Sequence, residues 1–190
     1  MNEYKITTNN EDSKKFWMNE HINDLSWYSK TCVYHRILFD HIDIPKDGDV
    51  VQLGVGFGLS LQLLIERFGE RCYGIDIFNP AEHPAVKIMD VRDLKDVPLS
   101  YVHCNVGKFD STPVIRKIGL EWSLRNLVSG GYCCTAGNNE YVESFLGFRI
   151  RDLAEKYNCE ILPIPLDDEV KTMNSLGKFN SAHDCLIKKQ

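Results

Sequence analysis

"VVQLGVGFGLSLQLL", Val50 to Leu64, is an apolar run that breaks into glycines at positions 54, 56 and 58 and resumes as leucines, some of them at helical spacing. Val50 to Leu53 reads as a strand, and Leu59 to Phe68 as the helix that follows it. Between them the chain discards side chains, which permits positive φ and lets another group lie against the main chain. That group is either a ligand or the protein's own backbone in a tight turn with close helix–strand packing. A glycine triplet alone does not choose between the two.

Working outward, the turn-rich "PKDGD" precedes this unit, and strand and helix signals alternate after it. Strands are expected at Cys72 to Phe78, Val86 to Met89, Ser100 to Cys104 and Tyr132 to Thr135, with helices at Thr112 to Leu127 and Glu140 to Tyr157. Such alternation predicts an α/β fold, a parallel sheet with helices on both faces. The end differs. "CEILPIPL" and "SAHDCLIKK" both read as strands, joined by a polar loop over 167–180 with no helical pattern. Without a crossover helix these last two strands must pair antiparallel, and their connecting loop emerges on the edge where open α/β sheets bind ligands. Upstream, Glu11 to Ile42 carries Phe16, Trp17, Ile22, Leu25, Trp27, Tyr28, Val33, Leu38 and Phe39 at steps that are often three or four. We read residues 1–46 as a helical extension, frayed over 1–10, that forms one compact unit with a main domain over 47–190.

The composition narrows the class of function. A chain of 190 residues suits one domain with a substantial core. Its 22 basic against 27 acidic residues leave a formal charge of -5, with no general attraction for nucleic acid or anionic lipid. The first residues lack the apolar core of a signal peptide, and no stretch approaches the ~18 apolar residues of a membrane span, so a soluble, cytoplasmic protein is expected. Seven cysteines, mostly within apolar stretches, read as reduced, packed thiols, and with no C-x-x-C pair a zinc site is not expected.

Two acidic residues bear on what the glycines accommodate. Asp76 ends the second strand in "YGIDIF", where an acceptor-only carboxylate can bind the vicinal hydroxyls of a ribose. Asp90 ends the third strand in "KIMDVRDL", placed to accept from an exocyclic amine such as that of adenine. Either is equally readable as a cap or turn residue on its own; with the ordered glycines, a nucleoside-bearing ligand is favoured. A dinucleotide fits less well, because the sixth position of G-x-G-x-x-G/A needs a small residue for helix packing and here it is Leu59.

In order and spacing, "VVQLGVGFG", "YGIDIF", "IMDVRDL", "LSYVHCN" and "LRNLVSGGYCCTAG" resemble the successive motifs of the class I S-adenosylmethionine-dependent methyltransferases, over about Asp47 to Lys189. The resemblance implies a Rossmann-like three-layer sandwich around a seven-stranded sheet whose last strand alone is antiparallel. It implies S-adenosyl-L-methionine as cofactor, with Gly54, Gly56, Gly58 and the neighbouring backbone holding its methionine portion. Asp76 would bind the ribose, Ile77 and Phe78 would flank the adenine, and Asp90 with Val91 would meet its edge. His103 and Asn105 would lie beside the transferable methyl. One departure is visible: the family commonly carries an acidic residue two positions before the first glycine, where this chain has Gln52, whose amide oxygen can accept from the cofactor ammonium without the charge-assisted component.

Methyl transfer from a sulfonium needs alignment and a dry site above all, and a hydroxyl nucleophile also benefits from a base of near-neutral pKa. His103 is the candidate catalytic base, against the alternative of a neutral histidine that orders a loop. His83 lies after the second strand, nearer the adenine end. Asn138 and Asn139 could orient a substrate or simply suit a turn. With His103, Asn105, Asn138 and Asn139 where a hard cation would want carboxylates, no metal site is expected, Asp110 being the one nearby carboxylate. Cys104 reads as packed rather than nucleophilic. "HCNVG" has neither the Asp/Asn-Pro-Pro-aromatic tetrad nor the Pro-Cys that resembling nucleobase enzymes carry after strand four. Trp27, Tyr28, Tyr34 and the 167–180 loop are candidate covers for the site. The expectation is a methyltransferase acting on oxygen or nitrogen of a small-molecule acceptor. The alternatives are a non-catalytic S-adenosylmethionine-binding module and, third, an NAD(P)-dependent oxidoreductase.

Overall fold

The computed structural model describes residues 38, 39, 41–56, 58–79, 82–106, 113–136, 147–162 and 184–190. The expected helices over 11–37, Asp110, Asn138, Asn139 and the 167–180 loop lie outside the described residues. The elements are β1 (Asp49–Leu53), α1 (Leu59–Phe68), β2 (Cys72–Asp76), β3 (Val86–Ile88), β4 (Leu99–Cys104), α2 (Pro113–Asn126), β5 (Leu127–Ala136), α3 (Ile150–Lys156), β6 (Cys159–Leu162) and β7 (Asp184–Lys189). Short 3-10 turns follow α1 at Gly69–Arg71 and β3 at Val91–Asp93.

The seven strands form one sheet in the order β3-β2-β1-β4-β5-β7-β6. The β1–β2, β1–β4, β2–β3 and β4–β5 pairs are parallel, while β7 runs antiparallel to both β5 and β6. The antiparallel last strand inferred from the missing crossover helix is therefore present. Alternation along the strands divides the core in two. Val51, Leu53, Val102, Cys104 and Cys133 face α2 and α3 through Leu120, Trp122, Ile150 and Leu153. Val50, Tyr101, Tyr132 and Cys134 face the other way, onto Leu61 and Leu64 of α1 and onto Leu38 and Phe39. Each fully buried leucine contributes roughly 1.5–3 kcal/mol, so both sides of the sheet must stay covered. Gly74 shows how close the cover lies, since a Cβ there would sit 2.5 Å from a Val55 methyl and 2.8 Å from one of Leu61.

Two boundaries among the described residues depart from the sequence reading by more than one residue, each for a local reason. β2 stops at Asp76 rather than Phe78, because the Ile77 N–H donates to the Asp76 carboxylate at 2.7 Å instead of continuing the ladder. β5 begins at Leu127, ahead of the expected Tyr132: Leu99 pairs with Leu127 and Tyr101 with Tyr132, so the extra residues arch out through Gly130 at φ 76°. The expected helix over Glu140 to Tyr157 is described only from Gly147 on: Gly147 has φ 69°, Arg149 is extended and α3 runs from Ile150, while 140–146 lie outside the described residues. Six cysteines, Cys72, Cys104, Cys133, Cys134, Cys159 and Cys185, are free and buried, and burial pushes the Cys104 thiol up to about 11. No helix among the described residues is long and apolar enough to cross a membrane.

Candidate functional site

The sheet reverses its winding between β1 and β4, and ligands of open α/β sheets bind at the carboxyl ends of strands at such a switch. There the Gly54 N–H donates to Ile75 O at 2.9 Å and the Asn105 N–H to Leu53 O at 2.7 Å, so the exits of β1, β2 and β4 are tied together. All three glycines of the turn take positive φ: 82° at Gly54, 56° at Gly56 and 83° at Gly58. Their surroundings differ. A Cβ on Gly54 would meet the carbonyl carbon of Asn105 and the nitrogen of Val106 at 2.9 Å, so what lies against this glycine is the chain's own backbone. Around Gly58 the nearest atoms among the described residues are a His83 ring carbon at 3.7 Å and a Val55 methyl at 4.0 Å, an ordinary contact distance. Gly58 also starts α1, accepting from the Gln62 N–H at 2.8 Å, and no side chain caps that terminus.

Asp76 is bound into the glycine turn. Its Oδ2 accepts from the Val55 N–H at 2.6 Å and the Gly56 N–H at 3.0 Å, while Oδ1 accepts from Ile77 N–H at 2.7 Å. A carboxylate offers about four lone-pair positions, so these bonds occupy most of its capacity. Immediately beyond it, Ile77 and Phe78 are 54% and 42% exposed, apolar side chains displayed beside an anionic group. Asp90 is held differently. Arg92 donates through Nε to Oδ1 at 2.8 Å and through Nη2 to Oδ2 at 2.5 Å, and the Arg92 N–H caps onto Oδ1 at 2.9 Å. These bonds hold the Asp90 carboxyl at about 2. Val91 is buried in the core on the α2 side, which leaves only its backbone for a ligand edge.

Gln52 and His103 are Cα partners across the β1–β4 pair, so their side chains share one face. Both are buried, 1% and 8% exposed. The Gln52 Nε2 donates to Gly54 O at 2.9 Å, and its Oε1 lies 2.7 Å from His103 Nδ1. The amide oxygen that sequence reasoning assigned to a cofactor ammonium thus accepts from a histidine. That relation was legible only as two polar residues ending apolar strands; the pairing itself, 51 residues apart, needed the register.

His83 is more involved than its position in the sequence suggested. The Asn79 side chain clamps its backbone, accepting from its N–H and donating to its carbonyl, both at 2.9 Å. Its Nδ1 accepts from the Ala85 N–H at 3.1 Å, and burial lowers its pKa, so the ring stands neutral against the glycine turn. Among the described residues no group of three or more His, Cys, Asp or Glu side chains converges as a metal site would.

No protein-family model matches the chain, and no curated protein matches it by sequence. Solved structures do match its fold. The magnesium protoporphyrin IX methyltransferase ChlM of Synechocystis PCC 6803, solved with bound SAM, aligns at a TM-score of 0.54 and 13% identity, over 97% of this chain and 100% of its own. The N-methyltransferase NodS of Bradyrhizobium japonicum WM9, in complex with S-adenosyl-L-homocysteine, aligns at 0.51 and 10% identity, over 93% and 94%. At such identities the likeness defines the fold: the Rossmann-like, seven-stranded sandwich of the class I methyltransferases.

Proposed function

We propose that the chain binds S-adenosylmethionine where β1, β2 and β4 end and directs its methyl group to oxygen or nitrogen of a small-molecule acceptor, with S-adenosylhomocysteine as co-product. The observation that carries this reading is the assembly at the switch point: a positive-φ glycine turn closed against Asp76, with His103 and Asn105 at the adjoining strand end. The residues fit the ligand. Asp76 is an acceptor-only group suited to a ribose, and the exposed Ile77 and Phe78 beside it suit the faces of a purine. Binding a diol through both carboxylate oxygens requires Asp76 to trade N–H partners of the turn for hydroxyls, which would turn Val55 and Gly56 donors toward the ligand. Asp90 would meet the purine edge with an oxygen already shared with Arg92, and the Val91 backbone would lie beside it.

When bound, the cofactor supplies an electrophilic methyl on a cationic sulfur, and the C–S electron pair stays with sulfur as the methyl–acceptor bond forms. The chain then has to orient the acceptor, exclude water and take its proton. His103 at the end of β4 is the proposed base. The acidic composition argues for a small acceptor over nucleic acid. A non-catalytic module that binds the same cofactor is a second reading, favoured by one observation: the neutral Gln52 stands where the family commonly has an acid. Calorimetric titration with S-adenosylmethionine, S-adenosylhomocysteine and NAD tests the proposal. Binding of the first two alone supports it, and NAD binding alone or silence from all three overturns it. Binding without turnover on any acceptor pool, with affinity intact in His103→Ala, selects the non-catalytic module.

A further inference from the structure

We infer that the glycine turn is blocked by the chain itself: the Asp76 carboxylate fills the pair of backbone donors that a ligand carboxylate uses, and a ligand enters by exchanging partners with Asp76. The Val55 and Gly56 N–H groups converge on one oxygen, Oδ2, at 2.6 and 3.0 Å. Successive N–H groups beside a glycine of positive φ form a concavity suited to an anionic oxygen. Its occupant belongs to another strand, 20 and 21 residues on, so the turn holds it as it would hold a separate anion. The second oxygen, Oδ1, accepts from the Ile77 N–H at 2.7 Å, with the Phe78 N–H at 3.5 Å. Asp76 is therefore committed through both oxygens, and a diol cannot engage both while the turn keeps its bonds.

Packing decides which partner moves. Gly54 is fixed by its N–H bond to Ile75 O and by the Asn105–Val106 peptide, and Val55 is buried with a methyl against Gly74. The donors stay in place, so the Asp76 side chain is what swings. Leaving the turn costs it two charge-assisted bonds and leaves two N–H groups without their acceptor. A ligand with only a diol leaves that cost unrelieved, and one with only a carboxylate displaces Asp76 without giving it new partners. A ligand that carries both, as S-adenosylmethionine does, completes the exchange: its carboxylate takes the Val55 and Gly56 N–H groups while its ribose takes the released Asp76 oxygen. Recognition of the two ends of one molecule is thereby coupled, and each half discriminates against fragments of the ligand. The naming of those two ends rests on the methyltransferase reading; the blocked donor pair does not.

The test uses formate as the probe, against chloride at equal ionic strength, and reads the Val55 and Gly56 amide resonances of the 15N-labelled protein. In Asp76→Ala formate should move both resonances saturably, and the native chain should bind it at least about 5-fold more weakly. Asp76→Asn, neutral and with one acceptor oxygen in place of two, carries the comparison if Asp76→Ala does not fold. Equal responses in variant and native protein, or no response in a folded variant, overturn the inference even if S-adenosylhomocysteine binds. On the native chain, calorimetry then follows 5′-methylthioadenosine, which has the purine and the diol but no carboxylate. Its affinity should rise about 5-fold or more when formate is added, each probe relieving the cost of the other. An affinity indifferent to formate, nil included, overturns the inference where S-adenosylhomocysteine binds. Formate binding to the variant, with silence from S-adenosylhomocysteine in the native protein, would instead reject the methyltransferase reading and leave the blocked turn standing.

Discussion

Asp76 ends β2 and Asp90 lies two residues beyond β3, its parallel neighbour, in which Ile88 stands opposite Asp76. The chain around each uses its carboxylate in a different way. At the end of β2 the donors are backbone N–H groups from the turn 20 and 21 residues earlier, so the carboxylate closes a tertiary junction. At the end of β3 the donor is Arg92, two residues on, and the pair stands open to water with Arg92 65% exposed. One carboxylate joins the exits of two strands, β1 and β2; the other shapes a short turn. Charge type and strand-end position are shared, and what separates the two is whether the partner arrives from elsewhere in the fold.

Changes on the β2 side should therefore be costly and those on the β3 side mild. Gly54→Ala carries the largest expected effect: its new methyl would press on the Asn105–Val106 peptide at 2.9 Å in a left-handed conformation. Overpacking and the φ penalty together should cost about 3 kcal/mol, read by urea unfolding. A loss under about 1 kcal/mol would show that the β4 exit yields easily. Asp76→Ala leaves the Val55 and Gly56 donors without their acceptor, and should cost roughly 2–3 kcal/mol in the same measurement. It should also weaken S-adenosylmethionine binding in calorimetry. Stability lost without affinity would confine Asp76 to the junction.

Gly58→Ala sharpens the contrast within the turn itself. Its φ is as strained as that of Gly54, but among the described residues nothing closer than 3.7 Å meets the added methyl, so about 1 kcal/mol is expected. Equal losses at 54 and 58 would mean that conformation, not crowding, governs both glycines. The smallest effect belongs to Asp90. Arg92 depresses its carboxyl to about 2, so the favourable contribution is present above the unfolded value near 4 and is lost as pH falls from there through about 2. Asp90→Asn should remove that contribution, giving a small loss at neutral pH that vanishes below about pH 2 and so flattens acid unfolding within that window. A neutral-pH loss as large as that of Asp76→Ala would place Asp90 in the tertiary framework beside Asp76.

Much of this architecture was legible because local patterns and global fold agree. The α1 boundaries, Leu59 and Phe68, follow from glycines on one side and a leucine stripe between, and the antiparallel β6–β7 pairing followed from a missing helical pattern. Where the reading missed, a local signal was ambiguous. "LVSGGYCC" hides an arch within an extended strand because pairing with β4, not the glycines, decides that both sides belong to it. Nor does helical spacing, which runs through Gly147, reveal the φ of 69° that interrupts it just before α3.

The sequence by itself determined which residues are apolar and how they recur, and hence the alternating strands and helices, the two-sided core and the edge carrying the glycine turn. Spacing along the chain carries that information because burial has a period of two in strands and 3.6 in helices. Only the tertiary structure decided what the polar residues at that edge do. A hydrogen bond depends on a separation of about 3 Å and on which atom donates, neither of which spacing encodes. Thus Asp76 found Val55 and Gly56, Asp90 stayed with Arg92, Gly54 met Asn105, and Gln52 came to face His103 once β1 and β4 settled into register.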